Sequence, residues 1–590
     1  MKKKAYNQER WNLKGLLKTH KGSEFEKILK SIDEEVKIFE GYRKELCSDI
    51  SAERVVEITK HMEKISVEIS KISSYSYMLF STNTKSQDAI TFKDKIIQHL
   101  TELGNKTIFF SLWFKSLDEN DSKRIINSSG EYKYFFEKLR LRKDHTLTEP
   151  EEKIINIKDI TGSEKLIQLY DTITNNFLYE IKIKGKKLKL NQSQLSKYLR
   201  SSDPKLRELT YKTILLRYNQ NKDVLGEIYK GIVTDWKNEC INLRNYKMYI
   251  SPRNLSNNIS DKAIETMLEV CKKNSKVFQE YFNIKAKLMK TKKLLRYHIY
   301  APIHGKEKKY KFNDALNLVF GCYNSFSPEM EKLARKIVDE KHLDSLINDS
   351  KMGGAYCMDI APGVTPYVLV NYTGTERDVS TLAHELGHGI HDLLSSKQVP
   401  LLSHAPLILA ETASVFGEMI VTEKLLKDEK NKKIKQILIS SKLDDIYATV
   451  IRQSYFVMFE IEAHKAIEKG ATIDEISDLW LKTLKDQFGS SVKVTDDFKN
   501  EFMYIPHIYH TPFYCYAYSF GNLLVLALYQ MYKTKGESFV PKYIKFLSYG
   551  GSKKPSEIGA ELGIDFESEK FWQQGFDMIK EMVKELKQSM

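Results

Sequence analysis

The chain has 590 residues, 42% apolar and 29% charged, and its 93 Lys and Arg against 78 Asp and Glu leave a net charge of +15. That composition excludes a disordered or fibrous chain and allows a large core, in one large domain or several. The apolar run at residues 523–528 is far too short to span a membrane, and the cationic runs at 182–189, 292–293, 306–311 and 427–435 are scattered and partly interleaved with acids, so neither a membrane nor a nucleic-acid partner is expected.

Residues 1–4 read Met-Lys-Lys-Lys with no apolar stretch behind them, so no secretory signal is expected. Residues 23–143 read as successive amphipathic helices, with Phe25, Ile28, Leu29, Ile32 and Val36 at helical spacing. The first proline, Pro150, stands in Glu149-Pro150-Glu151-Glu152, a helix start. Phe177, Tyr179, Ile181 and Ile183 alternate with polar residues before Gly185, and Leu188 and Leu190 alternate beyond it, which predicts a short hairpin. Ser202-Asp203-Pro204 opens a helical stretch that runs to about residue 290, with a loop expected at 251–254. Residues 297–300 read as extended, 313–347 as helix, and 355–360 and 366–372 as two strands around the turn Ala361-Pro362-Gly363. An edge strand there would pair with an extended peptide, which makes Gly354, Ala355 and Tyr356 substrate-binding candidates; a plain structural hairpin is the other reading. The six cysteines form no C-x-x-C and suit reduced thiols in a cytoplasmic protein. The expected division is a helical domain at 1–195, with the hairpin near its end, and a helical catalytic domain at 196–590.

Residues 381–394 carry His384-Glu385-x-x-His388. Two imidazoles four residues apart project from one side of a helix, within reach of one metal ion, and Glu385 beside the first is placed to take a proton from a water there. Leu382, Leu386, Ile390, Leu393 and Leu394 supply the apolar stripe, and Asp378 or Ser380 would cap the helix. A catalytic zinc site needs a third protein ligand and an open position. His391 lies seven residues from His384, roughly 10 Å along the axis, too far to share the ion, so it is expected beside the site or in packing. His391 also stands where the metzincin pattern needs Gly, and Leu394 where it needs His, which excludes that class. Glu411 is the strongest third ligand. It lies in a second helix expected to open at Pro406, whose Ala410, Ala413 and Ser414 permit close packing. Glu418, seven residues on, is expected to accept an N–H from a ligating imidazole. His404 is the weaker alternative.

Residues 502–520 hold five Tyr and two His, which a core helix or a set of donors to an oxyanion would equally use.

These pieces together resemble the oligoendopeptidase F family of zinc metallopeptidases, relatives of thimet oligopeptidase. The matches are P-Y-V-L-V-N-Y-x-G-T-x-x-D-V-x-T-L-A-H-E-L-G-H at 366–388, A-E-T-A-S-x-F-x-E at 410–418, I-P-H-x-Y-x-x-P-F-Y-x-Y-x-Y at 505–518, and Trp11-Asn12-Leu13. The resemblance covers nearly the whole chain. It implies a mostly helical zincin-type peptidase with a small β-sheet beside the active-site helix, and a deep groove or chamber that admits short unstructured peptides. It implies one Zn2+ per chain on His384, His388 and Glu411, with Glu385 as general base. His507, Tyr509 and Tyr516 would be donors to substrate or oxyanion, and Tyr514 would bind substrate. His298 departs from the family, which often has Asp there, and His510 falls at a variable position. The expected function is therefore a zinc-dependent endopeptidase. The alternative is a non-catalytic peptide-binding protein whose structural metal would need a fourth protein ligand.

Overall fold

The computed structural model describes residues 5–303 and 308–590 and is mostly helical, with seven short strands. Residues 1–4, and the first part of the Lys run at 306–311, lie outside the described residues. The chain divides into two compact units, neither continuous in sequence: Met1–Thr146, Glu307–Lys424 and Met531–Ile564 form the first, and Leu147–Lys306, Leu425–Gln530 and Asp565–Met590 the second. The units do not part at residue 195, which lies inside the second.

In the first unit the helices Ser23–Gly41, Ala52–Thr82 and Gln87–Thr107 close over a core of Phe25, Ile32, Val36, Phe39, Val55, Ile58 and Ile96. Ser51 and Ser86 cap the last two helices, each accepting a backbone N–H three residues on, at 3.1 and 3.3 Å. The helices Phe312–Phe326 and Pro328–Asp339 end before strand β4 (Leu343–Asp344), where a helix to 347 was expected. Strand β5 is Tyr356–Met358 and β6 is Tyr367–Leu369, both shorter than the sequence suggests. Central β6 pairs parallel with β4 and antiparallel with β5, in the register Tyr356↔Leu369, Cys357↔Val368 and Met358↔Tyr367. Trp11 packs with Met78, Ile360, Tyr367 and Leu369, fixing the sheet to the long helix Ala52–Thr82. Strand β5 is an edge, so its outer backbone groups have no ladder partner within the sheet.

The second unit contains the predicted hairpin, β1 (Tyr179–Ile183) and β2 (Lys186–Leu190), joined through Lys184 and Gly185 at φ 48° and 82°. Two positive φ angles are what a tight two-residue turn demands. The helix Glu149–Thr161 starts at Thr148 with a capping box to Glu151, and Asp203 caps Pro204–Asn219. Two expectations fail here. Residues Ser251–Ser256 are a short helix rather than a loop, with Pro252 tolerated in its first turn. Arg296–His298 is a 3-10 turn following strand β3 (Leu294–Leu295), which pairs in parallel with β7 (Val492–Lys493). The chain at 513–515 is still turn, and its helix starts at Tyr516. No helix among the described residues is long and apolar enough to cross a membrane.

Candidate metal centre

The helix Glu376–Ser395 begins one turn earlier than expected. Thr375, not Asp378 or Ser380, is its cap, and Asp378 closes a capping box by accepting the Thr375 and Thr373 N–H groups at 2.9 and 2.8 Å. Its apolar side, Leu382, Leu386, Ile390 and Leu394, is fully buried. That fixes the rotation of the helix and turns His384 and His388 to one side. The second segment is also not one helix. A single turn, Leu407–Ala410, stops at Glu411 (φ −81°, ψ 2°), and a new helix runs Thr412–Asp428. Glu411 therefore sits at a break between helices. The two helices approach closely at Gly387, where a Cβ would fall 2.7 Å from the Ala413 carbonyl oxygen.

Across that contact His384 Nε2 lies 3.1 Å from His388 Nε2, and Glu411 Oε2 lies 3.3 and 3.4 Å from the two nitrogens. Donor atoms placed tetrahedrally at ~2.0–2.1 Å from a zinc ion would be ~3.3–3.4 Å apart, so this triangle has the size of one face of such a site. Two neutral imidazoles and one carboxylate are also the donor chemistry zinc takes in hydrolytic sites. Among the described residues no fourth His, Cys, Asp or Glu joins the cluster. Glu418 Oε1 is 2.6 Å from His384 Nδ1, and Ser414 Oγ donates to Glu411 Oε2 at 2.7 Å. With Nδ1–H given to Glu418, His384 keeps its Nε2 lone pair for the cluster.

The electrostatics follow from three carboxylates and two imidazoles held together out of water. Burial opposes the charged form of His384. The Glu418 hydrogen bond, with the charges of Glu418, Glu411 and Glu385, outweighs it and lifts the imidazole to about 9. His388 is raised as well, burial being overcome by Glu411. Burial would raise Glu411, but His388 and His384 pull it down to about 2. Glu385 is 6% exposed, and burial raises its pKa against the pull of the two histidines. His391 lies outside the triangle. It is buried, and burial holds its pKa down to about 4, so the ring is neutral. His404 pairs with Asp359 at 3.0 Å and is not in the cluster.

Of the substrate-binding candidates, Gly354 is exposed at φ 82°, and its carbonyl accepts from Asn371 Nδ2 at 2.8 Å. Ala355 is half-buried, and Tyr356 on β5 turns its ring onto Trp11 and Tyr77, 6.1 and 5.5 Å between centroids. The edge strand lies against the His384 helix, with Cys357 Sγ 3.7 Å from Asp392 Oδ2.

In the second unit the aromatic segment separates into two sets. Tyr509 and Tyr516 are fully buried. The Tyr509 hydroxyl donates to the Leu225 carbonyl at 3.2 Å and its ring stacks on Tyr170 at 3.9 Å; the Tyr516 hydroxyl accepts from Asn257 Nδ2 at 2.7 Å. Both phenols are engaged with core partners in this structure. His507, Tyr514 and Tyr518 are half-buried and form a cluster instead: the rings lie 5.4–6.2 Å apart, with Tyr518 Oη 3.5 Å from His507 Nε2. The sequence reading missed Tyr518. Its four-residue spacing from Tyr514 was the available signal, since Tyr516 between them must face the other way once the helix begins. Phe513, at φ 58° with its N–H given to Glu460 Oε1 at 2.8 Å, makes the turn that separates the sets. His510 pairs with Asp171 at 2.7 Å and His298 lies 3.5 Å from Arg207 Nε.

The sequence profile of Peptidase family M3 matches residues 197–578, and that of Oligopeptidase F matches 113–177. A protein of Borreliella burgdorferi named oligoendopeptidase F homolog is 29% identical over 98% of both chains. A crystal structure from Chlamydophila abortus superposes with a TM-score of 0.86, at 25% identity over 98% of both chains. The oligoendopeptidase-F of Enterococcus faecium gives a TM-score of 0.73 at 19% identity, covering 96% of this chain and 98% of that one.

Proposed function

Because the chain belongs to peptidase family M3 and is a metalloendopeptidase of the oligoendopeptidase F type, we propose that it cleaves internal bonds of short unstructured peptides with one zinc ion held by His384, His388 and Glu411. The observation that carries this reading is the three-donor triangle with Glu385 beside it and no fourth protein donor among the described residues. A closed structural site would have that fourth donor, so the non-catalytic alternative is disfavoured.

A zinc ion bound there supplies Lewis-acid polarisation and makes a water molecule acidic enough to attack at neutral pH. The chain's own groups do the rest. Glu385 takes the proton from the attacking water and passes it to the departing amine. Its buried position, which raises its pKa, makes it a better base than an exposed carboxylate. Glu418 holds the His384 tautomer. The free edge of β5 is suited to receive an extended peptide by backbone hydrogen bonds. For hydrogen-bond donors to substrate we take His507, Tyr514 and Tyr518. Burial, then Arg452, lowers the His507 pKa, so its imidazole is neutral at pH 7.

The test is cleavage of fluorogenic peptides with and without a chelator, read with metal content on the same sample. Activity that is lost with the metal and restored with zinc is expected; turnover indifferent to chelation ends the reading. The two tyrosine sets give a second prediction. Tyr518→Phe is expected to lower kcat by about 10–100-fold with little change in unfolding midpoint. Tyr516→Phe is expected to cost about 1 kcal/mol of stability, through the lost Asn257 bond, with kcat within about twofold. The reverse pattern would return the donor role to Tyr516.

A further inference from the structure

In the second unit one peptide bond is gripped from two sides. Glu460, 1% exposed in the helix Arg452–Glu468, accepts the Phe513 N–H on its Oε1 at 2.8 Å. Arg253, half-buried, points Nε and Nη2 at the Pro512 carbonyl, each at 3.4 Å. That carbonyl and that N–H belong to the same planar unit, so its rotation is held at both edges. One turn beyond Glu460, the buried His464 lays its ring 4.7 Å from the Phe513 ring, and Trp236 lies 6.3 Å from it. The backbone held in this way is strained: Phe513 stands at φ 58°, in the left-handed region that residues with a side chain seldom enter and that persists only where the surroundings enforce it. Packing alone does not call for a carboxyl here. Among the described residues Glu460 Oε2 is buried without a partner, and so is the hydroxyl of the fully buried Tyr229. An apolar side chain would fill the place with no unused acceptor. Burial raises the Glu460 carboxyl to about 8, with the Phe513 N–H and then Arg253 holding it down, so near pH 7 it is mainly neutral. What the turn takes from Glu460 is an acceptor, not a charge.

We propose that Glu460 and Arg253 are positioning residues for peptide hydrolysis: by clamping the Pro512–Phe513 peptide in its left-handed turn they fix Tyr514 and Tyr518 against His507. His507 stands on the short helix Pro506–His510 before the turn and Tyr518 on the helix Tyr516–Lys535 after it. The 3.5 Å from Tyr518 Oη to His507 Nε2 is therefore a distance across the turn, and the conformation of Phe513 sets it. Donors to a developing oxyanion act only when held in place beforehand, so a turn free to relax would leave both helices folded and the donors misplaced. The inference rests on the reading of His507, Tyr514 and Tyr518 as donors to substrate. Neither Glu460 nor Arg253 touches substrate in it; both act through the backbone.

The experiment uses the zinc-loaded full chain. Glu460→Gln keeps an acceptor of nearly the same shape, whereas Glu460→Met keeps the length and removes it. Glu460→Gln is expected to hold kcat within about threefold, and Glu460→Met to lower it about 10–100-fold with KM changed by less than about threefold. The position of His507 is read separately, without turnover, by nuclear magnetic resonance of carbon-13-labelled histidines, its signal identified by its loss in His507→Gln. That signal should move in Glu460→Met, return to its place in Glu460→Gln, and move in the same direction but less in Arg253→Met, with zinc content unchanged in all three. Arg253→Met alters a half-buried site and keeps the test open even if Glu460→Met folds poorly. A His507 signal unmoved by Arg253→Met, or by a folded Glu460→Met, would overturn the clamp and leave the donor reading standing. Equal impairment in Glu460→Gln and Glu460→Met would overturn it as well, since the acceptor would then not be what matters. A signal that moves while kcat stays would overturn the donor reading, and the positioning role with it.

Discussion

Glu385→Gln is expected to keep its zinc and its fold and to lose about 10³-fold or more in kcat. The amide has nearly the shape of the carboxylate, so the helix Glu376–Ser395 keeps its packing on Leu382, Leu386 and Ile390. What it loses is the ability to take a proton, and general-base catalysis of this kind is worth about 10²–10⁴-fold. Stability should move the other way. Burial raises the folded pKa of Glu385 above its ordinary value of 4.5. A carboxyl raised in this way is destabilising once ionised: the cost begins as pH rises through the unfolded value and is fully present above the folded one. At neutral pH the neutral Gln avoids that cost, so the metal-free variant should unfold at the same temperature or higher. A variant that keeps more than a tenth of wild-type kcat, with zinc content unchanged, would remove Glu385 from the proton transfers.

The site was legible where spacing along one helix decided it. His384 and His388 needed only the four-residue repeat, and Glu418 only the need for an acceptor of the His384 Nδ1–H. The reading failed where a helix stops. Glu411 was assigned to a helix and stands at a break, because the chain at residues 407–410 completes a single turn before the close contact at Gly387 imposes a new axis. Tyr509 and Tyr516 matched the resemblance by position, yet they lie on separate helices, Pro506–His510 and Tyr516–Lys535, with Phe513 at positive φ between them, and their hydroxyls bond Leu225 and Asn257. No local pattern announces a positive φ at a non-glycine residue. The units escaped sequence reading for a similar reason: each is assembled from three separate segments, and the segment ends at 146 and 424 carry no linker composition. The antiparallel pairing of β5 with β6, by contrast, was legible as two short apolar runs around a turn signal.

Zinc uptake is expected to release protons and to tighten steeply with pH. Without metal, His384 titrates at about 9 and His388 above its ordinary value, so near pH 7 His384 holds a proton and His388 a share of one. Glu411, at about 2, is already ionised and releases none. Each proton that must leave makes affinity rise about tenfold per pH unit below the pKa concerned, and the rise ends near pH 9. Stability follows the same sign. A raised His384 stabilises the metal-free fold below its unfolded value of about 6.5, and that contribution is lost as pH climbs through about 9. A depressed Glu411 stabilises it above 4.5, a contribution lost as pH falls toward 2. The gap between zinc-loaded and metal-free unfolding midpoints should therefore widen from pH 6 to pH 9. Glu411→Gln sharpens the case. It removes a ligand and should weaken zinc by more than about 100-fold, since even outer partners of such ligands are worth 10–100-fold. It also removes the anion that raises both imidazoles, so fewer protons leave and the pH slope flattens. Titration calorimetry in buffers of different ionisation enthalpy reads the proton count directly. Buffer-independent heats for the unsubstituted chain, or a variant with undiminished affinity, would show that Glu411 and the two imidazoles do not share the ion.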